Sequence, residues 1–195
     1  MSFENSVTMY NLMRAFAGES QARNRYNMAS ATARNEGHFA VAKIFDATAC
    51  QEQAHATVFY DFLADVNFKH FDITASYPVN VVKTTAEHLK YAVHNELEEY
   101  ENVYRNFDDI AKSEGFDNIY AAFNMIAIIE NTHAQRFKNL LDDMEDNALY
   151  SKNNDTSWVC TNCGHIHTGP SAPDICPVCK QQRGYFLNKD YFTIL

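Results

Sequence analysis

Apolar residues recur at helical spacing in four long stretches of the chain. In the first, Leu12, Phe16, Glu19, Ala22 and Tyr26 share one stripe. The second starts after Gly37 and aligns Phe45, Glu52, His55, Phe59 and Phe62. The third follows Thr84, with Glu87 three residues on as a capping box. It aligns Leu89, Val93, Glu96, Tyr100, Val103 and Phe107. The fourth starts near Asp117, after a break at Ser113-Glu114-Gly115, and aligns Phe123, Ile126, Glu130, His133, Phe137 and Leu141. Tight connections join the first two helices and the last two. Between them, roughly residues 66 to 83 form a long connection containing Tyr77-Pro78. Two helical hairpins joined by a long central crossover suit a mainly α, ferritin-like four-helix bundle.

The stripes contain residues that an apolar face ordinarily excludes. Glu19, Glu52, Glu96 and Glu130 stand where a solvated glutamate has no place, so each needs a partner or a metal. Glu52 and Glu130 each have a histidine three residues on, His55 and His133. Glu19 precedes Glu52 by 33 positions, and Glu96 precedes Glu130 by 34. One glutamate from each of two helices and Glu-x-x-His from each of the other two is how a bundle builds a two-metal carboxylate site. Oxygen-rich ligation with one imidazole per metal favours iron or manganese over a closed zinc site. The repeat breaks at one point: Glu99 shares a face with Glu96, whereas the equivalent position in the first helix is Ala22. Glu98 and Glu101 point elsewhere, toward solvent.

Residues 148–157 turn polar and read as a linker. A small second domain follows over 158–195, so the bundle occupies 1–147. Cys160-x2-Cys163-x12-Cys176-x2-Cys179 is a tetrahedral tetrathiolate pattern that suits structural zinc or a single redox iron equally. Gly164 and Pro177 mark tight turns that aim backbone amides at the sulfurs. The fifth cysteine, Cys50, reads as a packed core thiol.

The net charge of -9 leaves no basic face for nucleic acid. No apolar run approaches the roughly 18 residues that cross a bilayer, and the N-terminus has no signal-peptide pattern. The expectation is a soluble cytoplasmic protein.

Ala17-Gly18-Glu19-Ser20, Glu52-x-x-His55, Glu96-x-x-Glu99, Glu130-x-x-His133 and the stretch from Trp158 to Gly164 with Cys176-Pro177-Val178-Cys179 resemble the rubrerythrin family over essentially the whole chain. That resemblance implies a di-iron site ligated by Glu19, Glu52, His55, Glu96, Glu99, Glu130 and His133, with Glu52 and Glu130 bridging. It implies one iron on the four cysteines. Tyr26 and Tyr104 match tyrosines that hydrogen-bond the ligand carboxylates, and with Glu99 and His55 they form the implied catalytic group. The chain departs from the family pattern at His94-Asn95 and Leu97-Glu98, around the third-helix ligands.

The implied activity is a peroxidase that reduces hydrogen peroxide to water in oxidative-stress defence. Its electrons would come from NAD(P)H through a separate reductase or a rubredoxin, because the chain has no dinucleotide-binding glycine motif. A homodimer is implied, with one subunit's rubredoxin-like iron near its partner's di-iron site. Charge counting adds that a fifth carboxylate favours the more positive metal state and an imidazole the ferrous one, so Glu99 and His55 are expected to alternate. The alternative activity is iron oxidation and handling, as in ferritins.

Overall fold

A computed structural model of the chain describes residues 2–194. Met1 and Leu195, the outer ends of the two expected domains, lie outside the described residues. The helices are α1 (Val7–Asn35), α2 (Phe39–Asp61), α3 (Thr85–Glu98), α4 (Tyr104–Ser113) and α5 (Asp117–Glu145). Strands β1 (Ser151–Cys160), β2 (Ile166–Ser171) and β3 (Phe186–Asn188) follow. The third apolar stripe is one rod made of α3, a five-residue π-helical segment Glu99–Val103, and α4. The four rods and the small sheet are a ferritin-like fold followed by a rubredoxin-like module.

Local chemistry explains the helix ends. Ser6 accepts the Met9 amide at 3.0 Å at the start of α1. A second cap comes from far along the chain: the Glu114 carboxylate accepts the amides of Val7 and Thr8 at 3.0 and 2.8 Å and the Thr8 hydroxyl at 2.6 Å. The capping box before α3 forms in both directions. The Glu87 carboxylate accepts the Thr84 amide, and the Thr84 hydroxyl accepts the Glu87 amide. α1 ends with Gly37 at φ +82°, and the His38 amide donates to the Ala33 carbonyl at 2.8 Å, a Schellman closure. The same closure ends α4 (Phe116 onto Ala111) and α5 (Ala148 onto Asp143).

The chain divides into two compact units. The first comprises residues up to Arg25, Ala49–Val81 and Tyr91–Gln135. Its apolar core centres on Leu12, Phe59, Tyr104, Phe123 and Ile126. The crossover carries one 3-10 turn, Ala64–Val66, and is otherwise irregular up to α3. The hydrogen bonds that hold it to the helices include Arg14 Nε to the Thr74 carbonyl (2.9 Å), the Tyr77 hydroxyl to the Arg14 carbonyl (2.9 Å), and Asn95 to Asn80 (3.2 Å).

The second unit comprises Tyr26–Thr48, Val82–Lys90 and Arg136 onward. Its sheet has the order β2-β1-β3, both pairs antiparallel. Trp158 is fully buried and its indole N–H donates to the Gly169 carbonyl at 2.9 Å. The sheet module lies against the α1–α2 turn. Tyr185 stacks on Phe39 with centroids 4.4 Å apart, Tyr150 meets His38 at 2.9 Å, and the Lys43 ammonium donates to the Thr161 carbonyl.

Three sequence expectations are revised. β1 begins at Ser151, so most of the polar run at 148–157 is strand; it is polar because its outer half is exposed, not because it lacks structure. Cys50 is exposed rather than packed. Ala49 and Glu52 are the buried neighbours there, and one residue of helical rotation carries Cys50 outward. At the end of α5 the fully buried leucine is Leu140, with Leu141 half-buried.

Candidate metal centres

All four stripe glutamates are buried, with Glu19, Glu52 and Glu130 fully so. Two groups of potential ligands form among them. Glu19, Glu52, His55 and Glu130 make the first; Glu52, Glu96, Glu130 and His133 make the second, and within each group the ligand atoms lie within 4.8 Å of one another. Glu52 and Glu130 belong to both. Each histidine presents Nδ1 to the carboxylates. His55 Nδ1 is 2.9 Å from Glu130 and 3.1 Å from Glu52. His133 Nδ1 is 2.8 Å from Glu130, 3.0 Å from Glu52 and 3.5 Å from Glu96. The two rings stand 5.6 Å apart, nearly parallel at 18°.

The electrostatics point to missing positive charge. Burial and the neighbouring carboxylate of Glu130 hold Glu19 well above its ordinary range. Burial, then the charges of Glu52 and Glu130, push Glu96 up to about 8. Burial opposes the charged form of Glu52, yet hydrogen bonds to His133 and His55 outweigh it and hold Glu52 at about 2. Both imidazoles shift the other way from ordinary buried histidines. Burial lowers them, but the surrounding carboxylates win, raising His55 strongly and His133 to about 12. Acids that resist ionising beside bases that cling to protons mark a cluster that would exchange those protons for cations. The polar atoms agree. Among the described residues, Glu19 Oε2, Glu52 Oε1 and both oxygens of Glu130 are buried and lack a hydrogen bond of proper geometry. Such acceptors are costly unless a metal fills the space.

Glu99 belongs to neither group. It opens the π-helical segment, and burial followed by the charges of Glu19, Glu96, Glu130 and Glu52 raises its pKa well above the ordinary value. π turns recur at functional sites because the extra residue re-aims a side chain. Glu98 and Glu101 are exposed, as expected. Two neighbours orient ligands. The Tyr104 hydroxyl donates to Glu19 Oε1 at 2.5 Å, and Gln51 Oε1 accepts from His133 Nε2 at 3.0 Å, leaving Nδ1 to face the carboxylates. The sequence reading anticipated Tyr104 and missed Gln51; its only signal was that a ligating imidazole needs a partner on its other nitrogen. Tyr26 lies in the second unit, buried, with its ring against Phe45 and Phe137.

A cavity of about 550 Å³ opens beside the π-helical segment Glu99–Val103. Glu99 and Tyr104 line it together with Gly18, His94 and the crossover residues Ala75 to Pro78.

The four cysteines gather in the second unit, all sulfurs within 4.8 Å. Cys160 and Cys179 sulfurs are 3.6 Å apart, and those of Cys163 and Cys176 are 3.8 Å apart. A tetrahedral ion about 2.3 Å from each sulfur requires edges of about 3.8 Å. The two Cys-x-x-Cys knuckles are alike. Gly164 and Lys180 amides donate back to the Cys160 and Cys176 carbonyls, and both residues have positive φ, +78° and +62°. Amides of Asn162 and Cys163 reach the Cys160 sulfur, although burial outweighs them and pushes this thiol up to about 12. The Gln181 amide leads the other way at Cys179, bringing it to about 6. Amides aimed at sulfur favour thiolates bound to a metal.

The rubrerythrin family model matches residues 10–141, and that of the rubrerythrin rubredoxin-like domain matches 158–187. The chain belongs to the rubrerythrin family. Rubrerythrin of Clostridium perfringens is 42% identical over 186 residues, covering 95% of this chain and 95% of its own. That of Porphyromonas gingivalis is 40% identical over 185 residues, covering 95% of this chain and 91% of its own. A structure of nigerythrin in its fully reduced, all-ferrous state superposes with a TM-score of 0.63 at 26% identity, covering 94% of this chain and 90% of that one. Bacterioferritin BfrA of Mycobacterium tuberculosis, at 17% identity and a TM-score of 0.62, shares the fold. Rubrerythrins are iron-dependent oxidoreductases. The glutamate–histidine cluster fits their di-iron centre, and the four cysteines fit one iron. No helix among the described residues is long and apolar enough to cross a membrane.

Proposed function

We propose that this chain is a cytoplasmic peroxidase that reduces hydrogen peroxide to water. Its electrons come from NAD(P)H through a separate reductase or a rubredoxin, and it works as a homodimer. The observation that carries this reading is the pair of overlapping ligand groups sharing Glu52 and Glu130, in a chain that also holds a four-cysteine site. The bundle (1–147) is assigned the chemistry and the small domain (158–195) the electron relay; most of the stretch between them, 148–157, is the start of strand β1. When bound, the two irons supply reversible two-electron redox chemistry, and the tetrathiolate iron supplies one-electron transfer.

The residues divide the work. Glu19, Glu52, His55 and Glu130 are assigned to one metal position and Glu52, Glu96, Glu130 and His133 to the other, with Glu52 and Glu130 bridging. Tyr104 fixes Glu19, and Gln51 fixes the tautomer of His133. Glu99 faces both the cavity and the carboxylate cluster. With the metals bound, Glu99 would supply a fifth negative charge and would take the place of His55 when the bound metals carry more positive charge. Tyr26, its ring packed against Phe45 and Phe137, is assigned with Tyr104 to orient the ligand carboxylates. A cytoplasmic setting is supported by the sulfur separations, which are those of metal ligands rather than of a disulfide. Iron storage is the weaker reading, since storage requires no attached relay.

The test is anaerobic mixing of the reduced, iron-loaded protein with hydrogen peroxide or with oxygen. Rapid stoichiometric oxidation by peroxide and slow oxidation by oxygen is expected, and the reverse preference refutes the reading. Identical ligands at both irons in oxidised and reduced crystals would refute the exchange of Glu99 for His55.

A further inference from the structure

The cavity at Glu99 is too large for the substrate it serves in the proposed function. Its volume is about 550 Å³, whereas a water-sized molecule takes about 30 Å³. Cavities of about 300–1,000 Å³ are the size that holds small organic ligands. The lining is mixed in the way such ligands require. Ala15, Ala75, Pro78, Val103 and Phe107 offer apolar surface, and His94, Asn102 and Asn106 offer polar atoms.

A second observation concerns how the space is kept. Gly18 lies inside α1, where glycine costs about 0.5–1 kcal/mol relative to alanine. Its backbone is ordinary helix, so no positive φ calls for glycine. A Cβ there would meet only the Tyr77 ring, at 3.6 Å, an ordinary contact. A side chain at 18 is therefore sterically allowed and would favour the helix; its absence leaves room beside Glu19. The crossover forms the opposite side, held by the Tyr77 hydroxyl on the Arg14 carbonyl and Arg14 Nε on the Thr74 carbonyl.

Resting on the peroxidase reading, we propose that this site also takes organic hydroperoxides, and that Gly18 sets their size limit. The alkyl or aryl group lies on the apolar lining while the hydroperoxide end reaches Glu99 and Tyr104. The O–O bond breaks: one hydroperoxide, two electrons from the same reductase chain and two protons give one alcohol and one water.

The experiment uses the iron-loaded full chain, reduced anaerobically and mixed with hydrogen peroxide, tert-butyl hydroperoxide or cumene hydroperoxide. Wild type is expected to reduce cumene hydroperoxide with kcat/KM within about tenfold of that for hydrogen peroxide. Gly18→Leu fills the floor and is expected to lower the cumene-to-hydrogen-peroxide ratio at least tenfold. Ala75→Trp, on the irregular crossover, fills the same space from outside a helix and should lower that ratio too, which guards against a folding defect in either variant. Crystals soaked with the product alcohol, 2-phenyl-2-propanol, should show it in the cavity of wild type and not of Gly18→Leu. Oxidation by hydrogen peroxide without oxidation by either organic hydroperoxide overturns the proposal and leaves the peroxidase reading standing. A ratio indifferent to both substitutions also overturns it. Oxidation by none of the three overturns the peroxidase reading and this proposal with it.

Discussion

Replacing Gly184 with alanine tests how the sheet module is seated in its unit. A Cβ at this position would lie 1.7 Å from the carbonyl oxygen of Gly37 and 2.9 Å from its carbon. Non-bonded heavy atoms settle at about 3.5 Å, so the two backbones must part by about 1.5 Å or more. Neither side yields easily. Gly37 is fixed in the α1–α2 turn by its own amide on the Arg34 carbonyl and by the His38 amide on Ala33. Gly184 sits in a 3-10 turn whose next residue, Tyr185, stacks on Phe39 at an interplanar angle of 10°. A shift of that size breaks the stack, worth about 0.5–1.5 kcal/mol. It also strains the Lys43–Thr161 and His38–Tyr150 hydrogen bonds, each worth about 0.5–1.5 kcal/mol. The expected loss for Gly184→Ala is therefore about 2–4 kcal/mol, seen as a fall in Tm of roughly 5–15 °C for a chain of this size. Gly37→Ala is the control. Its Cβ meets nothing within 4 Å, so only its φ of +82° is penalised, at about 1 kcal/mol. The assay is thermal unfolding of the iron-loaded protein, with far-UV circular dichroism for the helices and visible absorbance for the tetrathiolate iron. If Gly184→Ala costs no more than Gly37→Ala, the close backbone contact is wrong.

Further outcomes are expected elsewhere. Tyr104→Phe leaves Glu19 Oε1 without its donor, and Gln51→Leu frees His133 Nε2; each should weaken ferrous ion binding about 10–100-fold in competitive chelator titrations. Glu114→Gln should cost about 1 kcal/mol at pH 7 by weakening the α1 cap. Burial is the largest single influence on Glu114 and opposes its charged form, but the Thr8 hydroxyl and the two amides together outweigh it and lower its pKa. The stabilisation is thus present above the ordinary glutamate range and lost as pH falls through the lowered pKa; urea denaturation of wild type and Glu114→Gln should converge in acid. Lys180→Gly relieves a side chain held at φ +62° and should stabilise the iron-loaded small domain by about 0.5–1 kcal/mol, read as slower loss of the visible absorbance on heating.

Periodicity and spacing already determined a great deal. A glutamate inside an apolar stripe is anomalous wherever it occurs, so Glu19, Glu52, Glu96 and Glu130 announced a buried polar site. Glu-x-x-His and Cys-x-x-Cys are local geometries, in which one helical turn or one knuckle brings both ligands together without help from the rest of the chain. Helix ends were legible for the same reason, since Thr84-Glu87, Gly37 and Gly115 act on their immediate neighbours. Tertiary structure decided everything that depends on residues far apart. That Glu52 and Glu130 serve both ligand groups requires α2 and α5 to face each other across the first unit. Tyr104 reaches Glu19 across 85 positions, Gln51 reaches His133 across 82, and Glu114 caps a helix more than a hundred residues upstream. The π turn at Glu99 breaks a helical period that looked unbroken, because one extra residue barely disturbs an apolar stripe read at 3.6-residue spacing. The cavity has no sequence signature at all: it is the space left by what Gly18 lacks and by where the crossover is tied.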